Sequence, residues 1–450
     1  MGRSDRSLAG GAGRSFRTAL LLLTLAGCEG GPLGLFRSES PYERYLESLQ
    51  HAGLDSTALG LDWARAGEEA LLQPVAARLP FRETGYLPPH TASAVAYRFE
   101  LRRGRRLAID ISFASEPRGR LFVDLFQLRD GEPPRRVVGL SPDTSLLRYE
   151  VRRDGSYLLR LQPELLRGGR YTLVQRTEAT LGFPVPGHDV SAVRSRFGAE
   201  RDAGARTHHG IDIFAERGTP VIALVSGIAR ADLNNLGGQV VWLRDAERGR
   251  SLYYAHLDGW AISEAERVEP GDTLGFIGNT GNARTTRPHL HFGIYERGPV
   301  DPLPFVLPDD PHPAAVAAPE NGAEEWVRVS RVRGAVLRAG AHQSSDTLRA
   351  LEQGWLARVS AVTRGAFRVS LPDRLIGYLD ADAVTSADRP VRRAWLEAGS
   401  VIREAPRAAS PAIEILAEAE EAAVLGRFED FELVRLADGR RGWIVTSVNR

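Results

Sequence analysis

Three short runs in the middle of the chain restrict its fold more than any other feature. They are Thr207-His208-His209-Gly210-Ile211-Asp212-Ile213, Tyr253-Tyr254-Ala255-His256-Leu257 and Pro288-His289-Leu290-His291-Phe292. Each interleaves imidazole or carboxylate groups with apolar residues at a spacing of two, the side-chain period of a β-strand. Read as strands, His208, Gly210 and Asp212 share one face while His209, Ile211 and Ile213 share the other. His289 and His291 stand together with Leu290 and Phe292 behind them, and His256 lies opposite Ala255 and Leu257. The runs are coherent if one sheet buries the apolar side and gathers the polar groups over the other. Six of the ten histidines fall between positions 188 and 307, so the chemistry is expected there.

A hydrolytic zinc site takes three protein ligands from His, Asp and Glu and keeps a fourth position open. His208 and Asp212 supply two ligands from one strand face and His291 the third from a later strand, so Zn2+ is the expected cofactor. His256 and His289 remain on the same face with no ligand position to fill. That leaves them for proton transfer and for hydrogen bonds to a developing oxyanion or leaving amine. Within the doublet, the strand period favours His208 as the ligand and sends His209 to the back of the sheet. The glycines at 271, 275, 278 and 281 do not make a phosphate loop, because no Lys-Ser/Thr follows. They read as turns beside the cleft.

At 450 residues the chain is long enough for several domains, and 43% hydrophobic with 26% charged residues is ordinary globular composition. A net charge of +1 argues against a nucleic-acid partner. Arg3, Arg6, Arg14 and Arg17 precede a short apolar run from Ala19 to Leu25, the pattern of an export signal. The next residues, Leu25-Ala26-Gly27-Cys28, resemble the lipobox of bacterial lipoproteins. Cys28 is the only cysteine, so neither a disulfide nor a thiolate cluster accounts for it. The resemblance implies residues 1–28 as signal peptide and lipobox, and a membrane anchor through lipidated Cys28. With Glu29 following, it also implies a periplasmic protein held at the outer membrane.

Residues 29–88 read as a tether and short helices, from Tyr42, Tyr45, Leu46 and Leu49 and then Leu61, Trp63, Ala70 and Leu72 at helical spacing. Period-two runs between 89 and 178, such as Leu107-Ala108-Ile109-Asp110-Ile111, predict a β-sandwich similar to the jelly-roll-like domains beside secreted bacterial peptidases. A Pro/Gly cluster at 181–187 opens the histidine-rich region, 181–307, and residues 308–325 read as a solvated linker. Residues 326–386 and 391–449 look like two copies of one module, the first ending on Gly377-Tyr378-Leu379 and the second on Gly442-Trp443-Ile444. Both resemble bacterial SH3-like barrels. Trp355, Trp395 and Trp443 are expected in their cores, the alternative being a groove for glycan or peptide.

In the central region, the order H-x-G-x-D, Tyr-x-His-Leu, Gly-Asn-Thr-Gly and Pro-His-Leu-His-Phe resembles the lysostaphin-type (LytM-like) zinc metallopeptidases. Arg196-Phe197-Gly198 matches that family's approach to its site. The resemblance implies zinc on His208, Asp212 and His291, and catalytic roles for His256 and His289. The implied substrate is the peptide cross-links of peptidoglycan. The alternative reading is a wall-binding regulator or activator of other hydrolases that retains the peptidase fold. The expected fold class is therefore mainly β and multidomain: an N-terminal β-sandwich, a central β-rich peptidase domain on an antiparallel sheet, and two small C-terminal SH3-like barrels.

Overall fold

Helix α1 (Pro41–His51) starts where Ser40 and Glu43 form a reciprocal capping box, with Pro41 at the first helical position. Helix α2 (Ala58–Leu72) follows, capped by Thr57. Trp63 of α2 is almost fully buried with Tyr42 and Phe122, and its indole N–H donates to the Pro163 carbonyl at 2.8 Å. The computed structural model describes residues 39–141, 144–201, 204–316 and 325–446. The 1–28 segment and its lipobox cysteine, Cys28, lie outside the described residues. Among the described residues no helix is long and apolar enough to cross a membrane.

Nine strands come next: β1 (Val75–Ala76), β2 (Phe81–Leu87), β3 (Val95–Leu101), β4 (Arg105–Ala114), β5 (Leu121–Arg129), β6 (Glu132–Gly139), β7 (Leu146–Glu150), β8 (Gly155–Pro163) and β9 (Gly169–Ala179). Their order is β1-β3-β8-β5-β6 in one sheet and β2-β9-β4-β7 in the other, with Tyr97, Leu107, Ile109, Leu125, Leu159 and Leu173 in a shared core. The structure corrects the expectation for residues 29–88, since β1 and β2 follow the two helices. Strand β2 was illegible because it is covered on both faces, including a fully buried Glu83, which removes the alternation.

The second sheet does not end at β2. Glu83, Thr84 and Gly85 pair with Thr363, Val362 and Ala361 of strand Leu356–Thr363, which makes a sheet of eleven strands. The join is sealed by a buried polar knot. Glu83 Oε1 accepts from Tyr97 and Tyr171 at 2.5 and 2.7 Å, and Oε2 accepts from Tyr378 at 2.6 Å. Arg368 lies 3.7 Å from the carboxylate and donates to the Tyr171 hydroxyl at 2.8 Å. The buried Glu83 carboxylate is tolerable because three hydroxyls donate to it and Arg368 lies beside it as counter-charge. A separate six-stranded sheet spans 392–445 and packs Leu425, Phe428 and Trp443 against Leu356 and Val327. Trp443 is 3% exposed, but Trp395 is 69% exposed on the outermost strand of that sheet, contrary to the core role expected of it.

The central region is one antiparallel sheet. Its strands are β10 (Val193–Ser195), β13 (Ile211–Phe214), β14 (Pro220–Ile222), β15 (Gly227–Asn234), β16 (Gly238–Asp245), β17 (Arg250–Trp260), β18 (Ala265–Val268), β19 (Thr273–Ile277), β20 (His289–Tyr295) and β21 (Pro299–Val300), with a small hairpin of β11 (Glu200–Arg201) and β12 (Arg206–Thr207) beside it. The main order is β10-β13-β20-β17-β16-β15-β18. Ile211, Ile213, Leu290, Phe292, Tyr254 and Leu257 fill its core from one face. Phe305 packs where a Cβ on Gly104 would meet its ring at 2.4 Å, so the absent side chain lets the two regions touch. Residues 308–310, expected as solvated linker, begin as a docked strap. Arg105 donates to the carbonyls of Leu307 and Pro308 at 2.6 and 2.9 Å, and Asp310 accepts from the Thr177 N–H at 2.7 Å.

Candidate metal centre

Two registers assemble the site. Asp212 pairs directly with His291 across β13 and β20, and Ala255 of β17 flanks His291 on the other side. His208 precedes β13 outside any strand. Its N–H donates to the Ala199 carbonyl and its own carbonyl accepts from Gly198, both at 2.8 Å. The strand alternation read through the doublet therefore begins only at Ile211. His208 still turns inward, 5% exposed. His209 does not join Ile211 on the back face as expected; it is exposed, with Nε2 3.1 Å from Thr207 Oγ1.

His208 Nε2, Asp212 Oδ1 and His291 Nδ1 form a triangle with sides of 2.9, 2.9 and 3.0 Å. His208 Nδ1 lies 2.9 Å from the Arg196 carbonyl, which can only accept, so Nδ1 carries a proton and the neutral form of the ring would turn its lone pair inward at Nε2. That lone pair faces a carboxylate oxygen. Two acceptors this close repel each other unless a cation or proton lies between them. A tetrahedral ion with bonds of about 2.0–2.1 Å sets its ligands about 3.3 Å apart, close to what the triangle shows. The donor set of two imidazoles and one carboxylate fits such an ion, and these three residues form the group able to hold one among the described residues.

Gly210 explains the glycine of the motif. A Cβ there would lie 2.7 Å from His291 Cε1 and Nε2, so the ligand ring occupies the space of the missing side chain. Electrostatics favour the ligand states. Burial opposes the charge on Asp212, but whenever the His208 and His291 rings carry a proton towards it their hydrogen bonds, and then their charge, outweigh burial and hold the carboxyl well below the usual range. Burial also lowers His291, against the pull of Asp212.

His256 reaches the same face by an irregularity. On β17, Tyr253 and Ala255 lie on the site side, and Tyr254 and Leu257 in the core. Strict alternation would send His256 to the core with Tyr254. Instead three steps on β17, from Tyr254 to Leu257, oppose two on β16, from Val241 to Gln239, and His256 takes φ +66°. Such bulges re-aim a side chain, and a non-glycine residue in this region is uncommon and concentrated at functional sites. His256 Nδ1–H donates to the Thr280 carbonyl at 2.9 Å, and His289 Nδ1–H to that of Arg287 at 2.8 Å, which leaves both Nε2 atoms as acceptors. The two rings are 5.0 Å apart, and His256 is 6.0 Å from His291. Phe214 stacks on His289 at 4.9 Å. Burial, followed by the charge of nearby His289, pushes His256 down to about 4.

All five residues expected at the site are thus gathered on one face. Three others were missed. Thr280 positions His256 through its carbonyl, and its hydroxyl ties the Gln239 N–H to the Leu257 carbonyl at 3.0 and 2.8 Å. Tyr253 packs edge-on to His291 at 5.9 Å. Arg201 bonds the outer oxygen of Asp212. Backbone carbonyls leave no side-chain signature, but the Tyr253-Ala255 alternation was readable as a second site-facing pair.

Residues 206–302 match the model of peptidase family M23. The L-Ala–D-Glu endopeptidase of Bacillus subtilis is 37% identical over 123 residues, 25% of this chain and 37% of that protein. The peptidoglycan DD-endopeptidase ShyC of Vibrio cholerae is 32% identical over 115 residues, 24% of this chain and 26% of its own length. The chain therefore spans well under half the length of the curated relatives it matches. Among solved structures, the catalytic domain of lysostaphin from Staphylococcus simulans is 31% identical, covers 25% of this chain and 88% of that one, and has a TM-score of 0.23.

Proposed function

We propose, because residues 206–302 match the model of peptidase family M23, that the chain is an exported zinc endopeptidase that hydrolyses peptide cross-links of peptidoglycan. The observation that carries this reading is the convergence of three ligand-type atoms within 3.0 Å of one another beside two further imidazoles. His208 Nε2, Asp212 Oδ1 and His291 Nδ1 would hold the ion. When bound, zinc polarises a peptide carbonyl and acidifies water.

The remaining chemistry belongs to the chain. His256, neutral at physiological pH and protonated at Nδ1, offers Nε2 as the base for the attacking water. His289, held by Arg287 and Phe214, is placed, once its ring has taken a second proton at Nε2, to donate to the oxyanion or pass that proton to the leaving amine. The named activities of the two relatives support a peptide bond of the wall as substrate. Export and a lipid anchor on Cys28 at the outer membrane, facing the periplasm, complete the reading. They are supported by the Arg-rich start, the short apolar run and the lipobox-like sequence.

The test is digestion of isolated sacculi by the purified protein, with products identified by mass spectrometry. Release of cross-link-cleaved fragments that a chelator abolishes and zinc restores is expected. Release that persists in Asp212→Ala, or that ignores the chelator, refutes it.

A further inference from the structure

Arg201 is neither a ligand-type group nor placed to transfer a proton, yet it touches the ligand set directly. Its Nη2 donates to Asp212 Oδ2 at 2.7 Å and to Ser195 Oγ at 2.6 Å. Ser195 in turn pairs with Asp212 across β10 and β13, and its hydroxyl lies 3.3 Å from His208 Nδ1. The two oxygens of Asp212 are therefore divided: Oδ1 faces His208 and His291, and Oδ2 faces the guanidinium.

We propose that Arg201 is a positioning residue that confines Asp212 to ligation through Oδ1 and couples ion binding to the seating of the β11–β12 hairpin. The inference rests on the zinc-peptidase reading above. A carboxylate free at both oxygens can rotate and offer either or both to an ion. A charge-assisted bond on one oxygen removes that freedom and draws negative charge away from the other. Arg201 also belongs to the hairpin whose second strand, Arg206–Thr207, runs directly into His208, with Arg201 paired to Arg206. One hairpin thus carries the residue that orients Asp212 and delivers the ligand His208. Withdrawing it loosens two ligands together.

The measurement is zinc affinity by competition with a chromophoric chelator, on wild type, Arg201→Gln, Arg201→Met and Arg201→Lys, each first checked for an unchanged metal-free melting curve. Partners of metal ligands typically contribute about 10–100-fold in affinity. Both neutral variants should weaken binding by about that factor. Arg201→Lys, which keeps a cationic donor, should recover most of it. The visible spectrum of the Co2+-loaded protein should shift in the neutral variants and return in Arg201→Lys. Should one neutral variant not fold, the other is judged by the same limits. Neutral variants that bind zinc within about twofold of wild type, with an unchanged Co2+ spectrum, overturn the proposal. So does a lysine variant as weak as the neutral ones, because charge then has no part in the effect. A wild-type protein that binds no zinc refutes the peptidase reading itself, which separates the two failures.

Discussion

Gly210→Ala tests whether the motif glycine exists to seat a ligand ring. The backbone at 210 is free of the left-handed conformations that would strain an alanine, so only space is at issue. The new Cβ would stand 2.7 Å from Cε1 and Nε2 of His291 and 2.5 Å from the Phe292 carbonyl oxygen. Carbon contacts are comfortable at about 3.5 Å, so the ring must retreat by about 0.8 Å or the strands must part. Metal ligation tolerates only about 0.2 Å. Overpacking alone costs about 1–3 kcal/mol, and displacing one of three ligands adds to this in the loaded protein. Zinc affinity should therefore fall by at least about 10–100-fold, as read by competition titration, while the metal-free protein stays folded by circular dichroism. An alanine variant with wild-type zinc affinity would refute the claim that His291 is seated in the space of the missing side chain.

Replacing His256 or His289 by alanine should lower kcat on cross-linked substrate by about 10²–10⁴-fold, with bound zinc by metal analysis unchanged; loss of the metal would make them ligands instead. Glu83→Gln should destabilise the chain by about 3–5 kcal/mol in denaturant unfolding, because it leaves Arg368 buried without its counter-charge. Zinc binding in the folded protein should be untouched. On the alkaline side, the buried phenols of Tyr97, Tyr171 and Tyr378 are raised by burial first and then, in part, by the neighbouring carboxylate. The folded chain keeps protons that the unfolded chain releases near pH 10. Stability should accordingly be intact below pH 10 and fall above it, by up to about 1.4 kcal/mol per pH unit for each phenol; a flat thermal midpoint from pH 9 to 11 contradicts the buried knot.

Residue type and period made the core of the site legible. Leu290 and Phe292 behind His289 and His291 announce a strand with one polar face, and the structure places them that way. The exceptions come from backbone geometry. His209 was misplaced because the strand starts two residues after it, and no side-chain pattern marks that start. His256 was set on the correct face for an incomplete reason, since only the bulge at φ +66° returns it there. The three-residue spacing between Tyr254 and Leu257, both core residues, was the available clue. Strand β2 is hidden by a buried glutamate two of whose partners, Tyr378 and Arg368, lie far along the chain. Trp395 shows the converse limit: a large aromatic side chain does not reveal whether its strand ends inside or at an edge.

The join between β2 and strand Leu356–Thr363 also sets an order of events during synthesis. Thr363 Oγ1 donates to the Arg82 carbonyl across 281 residues of chain. Until residue 363 has emerged, β2 presents an open row of backbone donors and acceptors, and Glu83 faces an interior whose cation, Arg368, is not yet made. Contacts of such long range close slowly, and an unpaired edge in the interval invites pairing with other chains. The early strands thus wait on one made 281 residues later, and a nascent chain truncated before Leu356–Thr363 is left with a charged hole and a sticky edge.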